Sequence, residues 1–501
     1  MMCKKTLREI SEHLHSPIVG GEMHKDDAIL RIEYDSRTVG GGDIFVALTG
    51  HKLDGHRFAP MAYNAGCRAF LCERDPGLPE DAAVIYVKNT REVLPHLSAF
   101  FYGYPADRLK IVGITGTKGK TTTSLMLAEI LNRSGKNCAY IGSNGVVING
   151  EHTDTVNTTP ESRDLHHFFA KMVDGGVTHA VIEVSSQALA HNRVDGIPFA
   201  ARVFMNLSPD HTGDGEHKDF AEYKAAKASF FTGAGGTIIY NSDDTESLSV
   251  IAGHAPDARL ISFGLDSSAD FYATGDELFR DETTLGIGFS CHHGGSTVGV
   301  RLNSPGSFSI YNALAAIACA DTLGVSAEAA AEALRHTFVS GRFQIVPGLL
   351  GRTFIVDYAH NGESLRRALT ALREFSPKRL TVVFGSVGGR TELRRRELAE
   401  AASALADMSV ITSDNPDSED PAHVCADIES YMDKNHPYVT IVDREKAVRF
   451  AVRNSSPGDI VLFAGKGHET YQLVNGQKLP FIESAIIRDE CMKLKAEEQH
   501  D

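Results

Sequence analysis

Between residues 113 and 123 the chain reads GITGTKGKTTT. A loop that grips a polyphosphate needs glycines where the backbone turns tightly and aims its N–H groups inward. It also needs a lysine to reach the terminal phosphates and a hydroxyl beside it for Mg²⁺. Gly116, Gly119, Lys120 and Thr121 supply those types in that order, with Thr117, Lys118 and Thr122 completing the loop. The spacing departs from the usual one, because Ile114 stands where the first glycine is expected and Gly113 comes one residue early. A chance glycine-rich turn can also contain Gly-Lys-Thr. Here, however, an apolar run at 109–114 precedes the loop, and helical spacing at Leu125, Leu127, Ala128 and Leu131 follows it. Strand, loop and helix in that order point to a site for ATP and to an enzyme that consumes it.

Other residues suit the same chemistry. Glu183 closes an apolar segment (180–184, AVIEV), and a carboxylate at the C-terminal end of a buried strand is placed to hold a metal beside a nucleotide. Read alone it is equally a solvated strand end. His211, in Ser208-Pro209-Asp210-His211, follows another apolar segment and offers a neutral imidazole to a metal; a structural histidine is the plainer alternative. Lys227 falls on a helical stretch, 222–231, and in isolation reads as a surface lysine. The eight cysteines, at 3, 67, 72, 138, 291, 319, 425 and 491, form no CxxC pair, so neither a zinc knuckle nor a thioredoxin-type site is expected.

These residues need elements to position them. At 501 residues the chain exceeds one ordinary domain. Residues 1–105 read as one unit, with short strands at 43–48, 69–72 and 83–87, a helical pattern at 58–65, and a linker at Tyr104-Pro105. Residues 106–339 alternate strands (109–114, 180–184, 201–205, 237–240) with helices, as in a parallel sheet covered on both faces. Within them 270–302 hints at an antiparallel insert, and a helix is expected at 311–323. Residues 340–501 repeat the alternation at 353–356, 380–384, 408–412, 439–442 and 460–464, predicting a doubly wound, Rossmann-like domain. The expected fold is therefore α/β with three domains, the central one a P-loop-type parallel sheet. The formal net charge of −15 argues against nucleic acid as a partner. The mixed-charge N-terminus and the lack of any apolar run of about 18 residues predict a cytoplasmic protein with no membrane partner. A monomer is expected.

The segments GITGTKGKTTT, NTTPES (157–162), EVSSQAL (183–189), NLSPDH (206–211), DYAHNGESL (357–365), DNPDSEDP (414–421) and AGKGHETYQ (464–472) occur in one order. Together they resemble the Mur ligase family over nearly the whole chain, and in that family the early glycine is normal. The segment YDSRTVGGGDIFVALTGHKLDGHRF (34–58) is similar to the branch that adds the third residue of the peptidoglycan stem peptide. The resemblance implies that ATP phosphorylates the D-glutamate carboxylate of UDP-N-acetylmuramoyl-L-alanyl-D-glutamate and that a free amino acid attacks the acyl phosphate. It implies ATP and Mg²⁺ as cofactors, with Thr121, Glu183, His211 and a carbamylated Lys227 around the metal, and Lys120, Lys227 and His211 in catalysis. It places Asn312 and Arg342 at the nucleotide, Asp357 at the ribose, and Ser36 near the uridine end. Thr158, Thr159, Ser185, Gln187 and Arg193 would hold the muramyl dipeptide, and Arg390, Asp414, Asn415, Asp417, Gly465 and Glu469 the incoming amino acid.

The amine divides two readings. Diaminopimelate-adding members carry Asp-Asn-Pro-Arg, whereas this chain reads Asp414-Asn415-Pro416-Asp417. An aspartate repels a second carboxylate and attracts a terminal ammonium, so L-lysine is the expected substrate, with meso-2,6-diaminopimelate the alternative. More distant alternatives are a folylpolyglutamate-type ligase, which would not need the 34–58 segment, a P-loop kinase, which would make no amide, and a nucleotide-binding regulator without catalysis.

Overall fold

The computed structural model describes residues 5–50, 53–209, 217–233, 235–254, 258–280, 284–349, 351–389 and 392–498. The chain divides into two compact units, Met1–Gly264 with Ala315–Ser326, and Leu265–Leu314 with Ala327–Asp501. The three larger of the five sheets among the described residues, with their helices, make a three-domain α/β fold. Among the described residues no helix is long and apolar enough to cross a membrane.

The first sheet has the strand order Ile18–Val19, Ala83–Tyr86, Ala69–Cys72, Asp43–Val46, Arg31–Glu33. The last four run parallel and the first antiparallel. Alternation sends Ile44, Val46 and Leu71 to one face and Phe45, Phe70 and Cys72 to the other, and both faces are buried. Helix Thr90–Phe101 starts where the Asn89 side chain accepts from the N–H groups of Arg91 and Glu92, and it packs Leu94, Leu97 and Phe101 on the first face.

In the same unit, Lys110–Thr115 is flanked on both sides by parallel strands, His179–Glu183 and Phe199–Phe204. Cys138–Gly142 extends the sheet beyond the former, and Thr237–Asn241 and Arg259–Gly264 extend it beyond the latter. These strands are almost wholly apolar because both faces are covered. A hairpin of Gly145–Ile148 and Glu151–Thr153, too short and polar to stand out in the sequence, continues the sheet from Cys138–Gly142. Helix Ser162–Asp174 links this sheet to the first one. Arg163 donates from Nε to the Ile32 carbonyl at 2.7 Å and pairs with Glu33 and Asp164. The Tyr34 hydroxyl donates to Asp164 at 2.5 Å, and burial together with that carboxylate pushes the phenol well above its ordinary value. The turn that carries Ser36 follows directly.

In the second unit Phe271–Arg280, Leu285–His293 and Ser296–Leu302 form the expected antiparallel meander. Its six-stranded sheet has the order Gln344–Val346, Thr353–Asp357, Ile460–Ala464, Leu380–Phe384, Met408–Ile411, Tyr438–Thr440, parallel except for the first strand. Gln344–Val346 and the hairpin Tyr471–Val474/Gln477–Pro480 were not anticipated, being three and four residues long. The helix expected at 311–323 begins earlier, at Ser307, and ends at Thr322.

His166, on helix Ser162–Asp174, is 2% exposed and meets Phe169 edge-on at 5.6 Å. Its Nδ1 has no hydrogen-bond partner among the described residues. Burial, helped by nearby His96, lowers its pKa to about 4. The unfolded chain therefore binds a proton near pH 6.5 that the folded chain refuses until about pH 4, so stability is lost as pH falls through that window. Replacing His166 by Phe is expected to remove up to about 3 kcal/mol of that acid sensitivity, read from urea unfolding at pH 7 and pH 4.5.

Candidate functional site

The loop after Lys110–Thr115 is held from outside. The Asn206 carbonyl accepts from Thr117 N at 2.9 Å, its side-chain oxygen accepts from Lys118 N at 2.9 Å, and its amide donates to the Lys118 carbonyl at 3.2 Å. The Thr117 hydroxyl accepts from Ser208 N at 3.0 Å and from the Tyr223 hydroxyl at 3.1 Å, so it serves the loop's shape. Gly119 caps helix Lys120–Arg133 in the left-handed region. Gly113 has a different task from the one its position suggests. It lies within the strand, and a Cβ there would meet the rings of Phe230 at 2.5 Å and Phe199 at 2.7 Å. The early glycine is a packing residue beneath two aromatics, and the turn of the loop falls to Gly116 and Gly119.

Two ammonium groups converge on one backbone oxygen. Lys120 Nζ donates to the Gly116 carbonyl at 2.9 Å, and Lys227 Nζ donates to the same oxygen at 3.0 Å. Lys227 belongs to helix Phe220–Ser229, is 1% exposed, and lies 4.8 Å from the centre of the Tyr223 ring. It is therefore no surface lysine. Two cations that share one acceptor, one buried and one half-buried, repel each other and give the loop a positive potential.

Beside them Glu183 is fully buried. Its Oε2 accepts from the Thr121 hydroxyl at 2.9 Å, and its Oε1 accepts from the Tyr140 hydroxyl at 2.5 Å and from Ser143 N at 2.9 Å. The Thr159 hydroxyl donates to the Glu183 carbonyl at 2.7 Å, whereas Thr158 exchanges a 3.1 Å hydrogen bond with Ser143. The Ser185 side chain caps the short helix Ser186–Ala190, which carries the half-buried Gln187. Arg193 pairs with Glu161 at 2.9 Å and donates to the Thr159 carbonyl at 3.0 Å. Lys118 and Thr122 lie in and just after the loop, and Ser36 is half-buried in its turn. His211 and Arg390 lie outside the described residues. Glu161, Asn206 and Tyr140 escaped the sequence reading, since nothing in their local spacing reports the distant partners they meet.

In the second unit Asp357 is buried. Its oxygens accept from Phe343 N and Ala359 N, each at 2.8 Å, and burial raises its pKa against the opposing pull of Arg342. The Arg342 guanidinium lies 4.7 Å from the centre of the Tyr358 ring, and Asn312 is 6% exposed on its helix. At the strand ends Asp414, Asn415, Gly465 and Glu469 come together, joined by Lys466, which the sequence reading had passed over. A Cβ on Gly465 would lie 2.6 Å from Asp414 Oδ2, so only glycine leaves that carboxylate uncovered. Asp417 behaves otherwise. With φ of +50° it accepts from Gly476 N at 2.9 Å through its own carboxylate and binds the Tyr471–Val474/Gln477–Pro480 hairpin through its backbone. Beneath the cluster Arg444 is buried and donates to Glu483 at 2.8 Å and to the Ala464 carbonyl at 2.7 Å. The Glu483 carboxyl is raised by burial and lowered by Arg444.

A phosphate-binding loop on a parallel sheet, with paired lysines and a buried carboxylate, defines a nucleotide-using enzyme of the P-loop type. Three family profiles match in order: the Mur ligase family catalytic domain at residues 29–102, the Mur ligase middle domain at 114–320, and the Mur ligase glutamate ligase domain at 341–467. The chain belongs to the Mur ligase family. It is 37% identical to the UDP-N-acetylmuramoyl-L-alanyl-D-glutamate–2,6-diaminopimelate ligase of Caldanaerobacter subterraneus subsp. tengcongensis, over 91% of this chain and 93% of that one. It is 34% identical to the ligase of the same name from Clostridium perfringens, over 96% and 99%. A solved structure of a ligase so named matches with a TM-score of 0.68 at 27% identity, covering 99% of this chain and all of that one.

Replacing Arg444 by Met leaves Glu483 buried without its cation, and chemical denaturation should show a loss of about 3–5 kcal/mol. The double change R444M/E483L is expected to recover part of it, because the Glu483 charge is removed together with its cation.

Proposed function

We propose that this chain is an ATP-dependent ligase that joins meso-2,6-diaminopimelate to UDP-N-acetylmuramoyl-L-alanyl-D-glutamate through an acyl phosphate, in peptidoglycan synthesis. The observation that carries the reaction class is the Lys120 ammonium on the Gly116 carbonyl, next to the Thr121 hydroxyl on the buried Glu183 carboxylate, with Lys227 buried within reach of the same oxygen. The substrate carboxylate and the γ-phosphate are both anions, and bringing them together is chiefly a matter of charge neutralisation. Carboxylate oxygen bonds to the γ-phosphorus and ADP departs. The amine then attacks the activated carbonyl, gives up a proton, and phosphate leaves as the amide forms.

Thr121 and Glu183 offer hydroxyl and carboxylate oxygens, the hard donors that Mg²⁺ takes, and Mg²⁺ bound there would supply further neutralisation of the phosphates. In that reading Lys120 reaches the terminal phosphates, and Lys227 carries a carbamate that turns its ammonium into another oxygen donor. To do so it must leave the Gly116 carbonyl. Arg193, oriented by Glu161, holds the muramyl dipeptide with Thr158, Ser185 and Gln187, and Ser36 meets the uridine end. Asn312, Arg342 and Asp357 serve the nucleotide. Domains at 1–105, 106–339 and 340–501 fit this division of labour, and the need for ATP fits a cytoplasmic enzyme.

The names of relatives aligned over nearly the whole chain favour diaminopimelate over the L-lysine expected from the sequence. The lysine argument rested chiefly on the Asp417 carboxylate, one oxygen of which accepts from Gly476 N in its own hairpin. L-lysine stays as the second reading, because no arginine stands at position 417 to hold a second carboxylate.

The test is phosphate release from ATP, Mg²⁺ and the muramyl dipeptide nucleotide with each amino acid in turn. Diaminopimelate is expected to support turnover at least about tenfold better in kcat/KM than L-lysine. The reverse preference sinks the choice of amine, and activity with neither sinks the ligase reading. Replacing Lys227 by Ala is expected to lower kcat by about a thousandfold or more, with partial rescue by short carboxylic acids. Near-normal turnover in that variant removes the carbamate.

A further inference from the structure

The cluster proposed to receive the amino acid contains a cation that the chemistry above does not use. Lys466 is fully buried, so no ligand reaches its ammonium without displacing the side chain. Nζ donates to Asn415 Oδ1 at 2.6 Å and to Glu469 Oε2 at 2.7 Å. The Asn415 amide donates to that same Glu469 oxygen at 2.9 Å, which closes a triangle of three side chains. Asn415 Oδ1 also accepts from Leu473 N at 2.9 Å, so the amide is fixed with its oxygen toward Lys466. Lys466 lies 3.6 Å from Asp414 Oδ1, and neither oxygen of Asp414 has a hydrogen-bond donor among the described residues although the residue is 1% exposed.

From this geometry we infer that Lys466 is a positioning residue for the incoming amino acid: it orients Glu469 and Asn415 and leaves the pocket one positive charge short. Three carboxylates, Asp414, Glu469 and Glu483, stand against two cations, Lys466 and Arg444, and Arg444 is hydrogen-bonded to Glu483. Buried carboxylates without a counter-charge are costly, and the deficit is met when one further ammonium enters. Glu469 Oε2 accepts from both Lys466 and Asn415, which leaves Oε1 for the arriving amine. Without Lys466 the Asp414 and Glu469 carboxylates repel each other, Asn415 loses the partner that fixes its amide, and the acceptor pattern loosens. A loosened pattern weakens binding of the amine and leaves nucleotide and muramyl substrate alone.

This inference rests on the amino-acid site of the proposed ligase, and the experiment separates the two. In the full chain, with the amino acid that the wild type prefers, Lys466→Met is expected to raise the KM for that amino acid by about tenfold or more. The KM values for ATP and the muramyl nucleotide should stay within about twofold, and kcat at saturating amino acid within about threefold. Combined with Glu469→Gln, it should add little to the effect of Glu469→Gln alone, because the two act as a unit. If the methionine variant fails to fold, Lys466→Arg carries the test: its planar fork keeps the charge and cannot repeat the same two bonds, so a severalfold rise confined to the amino-acid KM is expected. An unchanged amino-acid KM, an equal rise in all three KM values, or additive effects with Glu469→Gln overturns the positioning role. A wild type inactive with every amino acid overturns the proposed function instead.

Discussion

The carboxylate of Glu183 sits at the centre of the first unit with its charge met by hydroxyls and a backbone amide. Thr121 reaches it from the start of the helix after the phosphate loop, Tyr140 from the neighbouring strand, and Ser143 from the turn beyond that strand. Its own backbone carbonyl accepts from Thr159. One buried anion thus fixes the register of two strands, a helix start and the 158–159 segment. A carboxylate taken from water and met by neutral donors, as among the described residues here, leaves a strong local field, which makes the place receptive to cations. The lysines at Gly116 bring positive charge to the same unit. The site thus sets a buried carboxylate and two cations close together.

The second unit repeats the device in other residues. Arg444 and Glu483 form a buried pair that anchors the last helix, Glu483–Glu498, under the strand ends. Above it Asp414 and Glu469 outnumber Lys466. Arg444 also acts on Asp414 and Glu469, and the three carboxylates still exceed the two cations by one charge, which makes the cluster a place for a cationic ligand. Gly465 keeps the surface of Asp414 open, since any side chain would close it.

Much of this was legible in the sequence. Strands 69–72, 380–384 and 460–464 match their apolar runs end to end, because strands buried on both faces are written as unbroken hydrophobic segments. The phosphate loop was legible because its roles are local: a turn, a lysine and a hydroxyl within a few residues. What escaped depends on partners far along the chain. Tyr140 meets Glu183 across forty-odd residues, Asn206 meets the loop from 88 residues away, and Lys466 meets Asn415 from 51. Gly113 was misread for the same reason, since only the folded chain brings Phe199 and Phe230 over it. Asp417 shows the converse case: a charge read for a ligand also holds its own hairpin, through one carboxylate oxygen.

The clamp on the phosphate loop has a consequence for how a nucleotide is received. Asn206 and the Thr117 hydroxyl give the loop its shape through protein contacts, two of them made by the N–H groups of Thr117 and Lys118, so its course is set before any phosphate arrives. A loop that had to fold around its ligand would surrender part of the contact energy to ordering and would close slowly. This one behaves as a rigid socket, and whatever slow step turnover contains is to be sought away from it.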